Sequence, residues 1–236
     1  MSLVLTDEQE LIKQAAADFL KKNAPVTHLR EMRDTEDPTG FSKKLWREMA
    51  ELGWAGIPFA EDVGGSALGL AELGVVLEEC GRTLAPYPFL STVVLGGSAV
   101  ALGGSEAQKQ ALLRGVCQGE TFLALAFQET SRFAPWSIDT KADKTDEGFR
   151  LSGEKIFVLD GHVADHLVVA ARTSGSAGER EGITLFLMDP SSEGCSVTRT
   201  SMVDSRNAAR VELSQVSLAD EAVLGEIDRG ADILSV

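Results

Sequence analysis

Cysteine is scarce in this chain: three in 236 residues, Cys80, Cys117 and Cys195, odd in number and widely spread. That argues against a disulfide framework or a zinc cluster and suits a reducing cytoplasm. Long apolar runs are absent as well. No uninterrupted apolar stretch reaches eighteen residues, so no membrane span is expected. Met1–Gln9 has neither a basic n-region nor an apolar h-region, and no secretory signal is expected. Basic residues are outnumbered, 22 Lys and Arg against 36 Asp and Glu, for a formal net charge of −14. Such a chain lacks the electrostatic footprint of a nucleic-acid or anionic-lipid binder, although a few local groups can still hold a small anion.

Histidine is limited to three residues, none in the setting of an activated nucleophile, so no Ser-His-Asp set is discernible. His162 and His166 have a helical metal spacing but flank a predicted strand, where such positions lie about 13 Å apart, too far for one ion. No metal site is expected. Gly64-Gly65, Gly96-Gly97 and Gly103-Gly104 do not follow strands, as a dinucleotide fingerprint requires, and turns or helix ends explain them.

What is present is a globular composition, 44% hydrophobic, with a change of pattern near Gly119. Before it, apolar residues recur at helical spacing. Thr6 and Gln9 predict a capping box for a helix carrying Leu11, Ile12, Ala15, Phe19 and Leu20. A loop with Pro25, Asp37, Pro38 and Gly40 is expected next. Ser42 is the candidate N-cap of a second helix, with Leu45, Trp46, Met49 and Leu52 on one face and Gly53 as its stop. Leu70, Leu73, Val76, Leu77 and Cys80 form a third stripe closed by Gly81. A fourth helix is expected within Leu90–Leu102 and a fifth from Ser105, with Gln108 completing a second capping box. From Thr121 the spacing is strand-like. The candidates are Thr121–Phe127, Ile138–Ala142, Phe149–Leu151, Lys155–Leu159, His166–Ala171, Ile183–Met188, Cys195–Arg199 and Val211–Val216. The reading is α+β: a helical domain over residues 1–118, then an antiparallel, barrel-like β-domain over 119–236.

Two runs carry a family resemblance. The first is Leu45–Pro58, then Glu61-Asp62-Val63-Gly64-Gly65, then Val75–Arg82. The second is Thr140-Lys141-Ala142, Gly148–Lys155, Gly161, Ala164-Asp165 and Ala171-Arg172-Thr173, continued by Leu185–Asp189 and Val223–Glu226. In order and spacing they resemble the N-terminal helical and middle β-domains of the acyl-CoA dehydrogenase family, with the start of the linker to a C-terminal helical bundle that these residues do not include.

The resemblance implies FAD as cofactor, an acyl-CoA substrate, α,β-dehydrogenation to a trans-2-enoyl thioester, and an electron-transfer flavoprotein as acceptor. It places the flavin against Ala126, Phe127, Gln128 and Glu129, and against Phe157, Val158 and Leu159. The family's catalytic base is a Glu of the C-terminal domain, so no catalytic residue is assigned here. Three departures stand out. Gln128 replaces the family Thr before Glu129, the Gly-Ser-Asp that follows is gone, and Leu159 replaces the Thr whose hydroxyl bonds the flavin. Arg132 and Phe133 are the candidates for the lost contacts, Arg132 through a phosphate of CoA or FAD. The divergent run Ala126–Phe133 is similar to that of small subunits of two-subunit acyl-CoA dehydrogenases such as the pimeloyl-CoA type. A homo- or hetero-oligomer is therefore implied. Two alternatives stay open: a non-catalytic structural subunit of a heteromer, and a flavin monooxygenase or nitroalkane-oxidase-like relative on the same fold.

Overall fold

A computed structural model describes residues 4–235. Residues 1–3 and 236, the outermost ends of the two expected domains, lie outside the described residues. The chain divides into two compact units. One takes the residues up to Phe89 with Arg114–Glu120, and the other takes Leu90–Leu113 with the chain from Thr121 onward. The helical stretch Leu90–Leu113 thus groups with the sheet, although the sequence period changes only near Gly119.

The first unit contains α1 (Asp7–Asn23), α2 (Val26–Asp34), α3 (Lys43–Glu51) and α4 (Leu70–Thr83). Thr6 caps α1 as expected: its hydroxyl accepts from Gln9 N at 3.2 Å, and the Gln9 side chain accepts from Thr6 N at 3.0 Å. Gln9 also donates to Glu72 of α4 at 2.9 Å, tying two helix starts together. Ser42 caps α3, which buries Trp46, Met49 and Ala50 and ends at Gly53 with φ +84°. Trp46 packs edge-on against Phe89, centroids 4.9 Å apart. Two expectations change. The stretch after Pro25 is not all loop but contains α2, which buries no residue and so shows no apolar stripe. Helix α4 runs past Gly81, where an added Cβ would meet nothing, and turns instead at Leu84, φ +54°.

Among the described residues the second unit is built on eight strands: β1 (Leu123–Ala126), β2 (Lys141–Thr145), β3 (Gly148–Leu159), β4 (His166–Arg172), β5 (Ile183–Met188), β6 (Cys195–Ser201), β7 (Asn207–Leu218) and β8 (Val223–Leu224). Their order is β6-β7-β3-β2-β4-β5-β8, with β1 also paired to β4. Most neighbours are antiparallel, as expected, but β1 and β2 both run parallel to β4, so the sheet is mixed. The two segments predicted around Ser152–Glu154 are one long strand. A bulge at Leu151/Gly153, opposite Gln215 with φ +55°, interrupts the alternation there and imitates a turn.

β4 is buried from Leu167 to Arg172, which is why it reads as a nearly continuous apolar run. Phe186, Leu151, Val158, Val211 and Val216 surround it in the core. A π-helical turn, Phe89–Gly97, leads into α5 (Ser98–Gly103) and then α6 (Glu106–Cys117), whose start carries the expected Ser105–Gln108 box. Gly96 lets that turn lie on β1, for a Cβ there would sit 2.5 Å from Leu123 Cβ. Thr92 meets both polar groups of the Leu123 main chain at 3.2 Å. The unit ends with α7 (Gly230–Ile233). Among the described residues no helix is long and apolar enough to cross a membrane.

Candidate functional site

β1 and β2 lie end to end along one edge of β4. Ala126 pairs with Val169 and Lys141 with Arg172, so only Ala170 and Ala171 face the gap between them. Residues 127–140 leave the edge at that gap and return to it. This excursion holds five of the predicted site residues, Phe127, Gln128, Glu129, Arg132 and Phe133, with Ala126 at its root in β1. The structure brings its start to the second predicted segment, because Ile156 N donates to Gln128 O at 2.8 Å.

That second segment contains a bulge. Lys155 pairs with Val211 and Val158 with Ala209, leaving Ile156 and Phe157 opposite a single residue of β7. Phe157 has φ +52°, a conformation that costs a non-glycine residue about 1–3 kcal/mol and persists only where its surroundings impose it. Its ring stays 41% exposed beside buried Val158 and half-buried Leu159. Among the described residues the main-chain N–H groups of Gln128 and Glu129 have no acceptor. An aromatic face and free main-chain donors suit a planar heteroaromatic group such as an isoalloxazine, and Leu159 adds no hydroxyl to them.

The loop tip is placed differently. Thr130 Oγ1 donates to Arg132 O at 2.7 Å, and the Gln128 carboxamide donates to Thr130 O at 3.1 Å. Phe133 is 78% exposed yet turns its ring edge-on to Phe127, centroids 6.2 Å apart. Arg132 is exposed and forms no ion pair among the described residues, so its guanidinium stays available to an anion.

Three charged side chains hold this loop: Glu129, which the sequence assigns to the site, and Lys155 and Arg172, which it does not. Lys155, fully buried, donates to Glu129 Oε1 at 2.5 Å. The same carboxylate accepts from Asp139 N at 2.7 Å and from Thr140 N at 3.1 Å. Burial pushes the Glu129 carboxyl up, but the charge and hydrogen bond of Lys155, with Thr140 and Asp139, hold it below the ordinary range. Burial pulls the Lys155 ammonium down to about 8, against the upward pull of Glu129. Arg172, the third, spends its guanidinium on carbonyls: Ile138 at 3.0 Å, Trp136 at 3.2 Å, Glu179 at 3.1 Å and Glu181 at 2.9 Å. The signal for Lys155 was its place at the head of the apolar run Ile156–Leu159, with an acidic residue retained at 129.

Beyond the bulge, Asp160 has φ +52° and accepts from Ser91 Oγ at 2.5 Å. Burial raises its carboxyl, opposed by bonds from Ser91 and Asn207 and by the charges of Arg206 and Arg199. His162 and His166 take part in no metal-binding cluster among the described residues.

Comparison with known proteins agrees with this architecture. The acyl-CoA dehydrogenase N-terminal domain matches residues 6–120, and the middle domain of the same family matches 128–217. The 2-methylacyl-CoA dehydrogenase of Solanum tuberosum, a mitochondrial protein, is 29% identical over 99% of this chain and 57% of its own length. A chain solved in work on the electron transferring flavoprotein of Acidaminococcus fermentans superposes with a TM-score of 0.88 at 26% identity, covering 99% of this chain and 62% of that one. A chain of the ChsE4–ChsE5 complex from Mycobacterium tuberculosis gives 0.85 at 25% identity, covering 99% and 61%. This chain therefore spans about three fifths of the length of such relatives, and it belongs to the acyl-CoA dehydrogenase family.

Proposed function

We propose that this chain supplies the N-terminal and middle domains of an FAD-dependent acyl-CoA dehydrogenase. The observation that carries the cofactor reading is the junction of Gln128 and Ile156, which joins two separate stretches beside an exposed aromatic ring. FAD, when bound, supplies the two-electron acceptor for α,β-dehydrogenation of an acyl-CoA thioester. Ala126–Glu129 and Phe157–Leu159 form one wall of its cleft: Phe157 covers a ring face, and the main chain of Gln128 and Glu129 donates hydrogen bonds. Arg132 meets a phosphate of CoA or of the cofactor, and Phe133 flanks the substrate. The general base lies outside these residues. An electron-transfer flavoprotein is the acceptor, and a second acyl-CoA-dehydrogenase-like subunit, the same or different, completes the site. The cytoplasm is the proposed compartment, in keeping with three free cysteines among the described residues.

Leu159 in place of a hydroxyl residue favours a second reading, a non-catalytic subunit that shapes the cleft of an active partner. Flavin content separates the two. The 236 residues alone are expected to bind FAD weakly and to leave a ferrocenium-type acceptor unreduced with a panel of acyl-CoAs. Absence of a general base alone lowers rates by about 10²–10⁴-fold. Joined to a C-terminal domain or partner, the assembly is expected to bind FAD and turn over, and Phe157→Ala to weaken binding. Robust turnover by the 236 residues alone, or normal flavin binding by Phe157→Ala, overturns the assignment.

A further inference from the structure

We propose that Lys155 is the positioning residue of this site: its buried ion pair with Glu129 locks the loop after β1 to the bulge of β3. The two candidate flavin-facing segments are thereby held as one piece. The functional consequence rests on the flavin reading above; the mechanical claim does not.

The geometry sets out the clamp. Glu129 directly follows Gln128, and Lys155 stands two residues before Phe157. One carboxylate thus joins the beginning of the excursion (Glu129 itself), its end (the Asp139 and Thr140 amides) and the strand that carries the exposed ring. A second link lies beside it, Ile156 N to Gln128 O at 2.8 Å. Phe157 keeps its positive φ only if both sides of the bulge are held. On the β7 side the ladder resumes at Val158; on the loop side the holds are Ile156 and Lys155. The charged groups facing Lys155 are Glu129 and Asp139, which favour its ammonium, and Arg172 of β4, which opposes it. Arg172 is bound to main-chain carbonyls and offers no substitute for Glu129.

A clamp made from this pair has a pH signature. Burial leaves Lys155 titrating near 8, so the pair loses its positive member as pH rises through that value. The sign for global stability is opposite. Between about 8 and the unfolded value the folded chain binds fewer protons than the unfolded one, so this group makes folding more favourable as pH rises. Local loosening without global destabilisation is a result that a lysine acting as core filler does not give.

The test follows residue-resolved hydrogen exchange in the 236-residue chain from pH 7 to 9, expressed as protection factors. The amides of Asp139, Thr140 and Ile156 are expected to lose protection by about tenfold, while β7 amides such as those of Val211 and Leu213 hold theirs. Lys155→Met is expected to show the loosened pattern already at pH 7 and to abolish its pH dependence. In the flavin-loaded assembly the FAD dissociation constant should rise in parallel with the loss of protection. Protection at the three amides that is independent of pH in the native chain overturns the clamp, and so does a Lys155→Met chain that keeps them protected. If Lys155→Met does not fold, the native pH series decides alone. If FAD fails to bind the native assembly, the flavin reading falls while the amide result still judges the clamp.

Discussion

Two excursions of the chain are held by different means. In the helical unit, residues 56–68 fold back through main-chain bonds: Gly65 N to Ala60 O at 2.9 Å, Ser66 N to Gly56 O at 3.0 Å, Ala67 N to Phe59 O at 2.7 Å and Leu68 N to Ile57 O at 3.0 Å. Their acidic side chains, Glu61 and Asp62, stay exposed. In the sheet unit, residues 127–140 are held by Glu129, Lys155 and Arg172, of which Lys155 is fully buried. A loop closed by its own backbone depends on close approach and little on side-chain chemistry. A loop closed by ionised side chains is an all-or-none arrangement, because removing one partner strands the other in a poorly solvated place. The candidate site is built on the second kind.

The strongest way to break this contrast is Glu129→Ala. It leaves Lys155 buried without its carboxylate and should cost about 3–5 kcal/mol in denaturant unfolding; a loss below about 1 kcal/mol would put both loops in one class. Next comes Gly65→Ala. A Cβ there would lie 2.1 Å from Phe59 O, so the backbone-held loop should lose about 1–3 kcal/mol. Glu61→Gln in the same loop should leave the unfolding free energy within about 0.5 kcal/mol. Ser42→Ala removes the cap of α3, and a loss of about 1 kcal/mol is expected from the same measurement. The smallest effect on folding is assigned to Phe157→Ala. Its ring is 41% exposed, and stability should stay within about 0.5 kcal/mol. Flavin affinity in the full assembly should fall, and unchanged affinity counts against the ring-covering role.

How much of this was legible depends on what each element buries. β5 is read at its observed bounds, Ile183–Met188, because it is apolar except for Thr184 and bounded by Gly182 and Asp189. The caps at Thr6, Ser42 and Ser105 are legible because one side chain serves one amide locally. α2 is hidden because it buries nothing, and β8 because two residues carry no period. The two site segments are picked out by family resemblance. Their junction is not, since a bond from Ile156 to Gln128 depends on β1 and β2 sharing one edge of β4, a property of topology and not of spacing. Lys155 and Arg172 stand in the sequence as a strand lysine and a family marker. Their work emerges only when the carbonyls and the carboxylate they hold are brought near.

The collinear placement of β1 and β2 bears on how such a protein can diverge. The chain leaves β4 after Ala126 and rejoins the same edge in the same direction at Lys141, across a gap of two β4 residues. Lengthening or shortening the stretch between them shifts no strand relative to its neighbours, since both contacts belong to one interrupted strand. Insertions and deletions, which scramble a ladder when they fall inside a strand, are here confined to the rim. Ligand preference can therefore drift by changes of loop length while the core keeps its alignment.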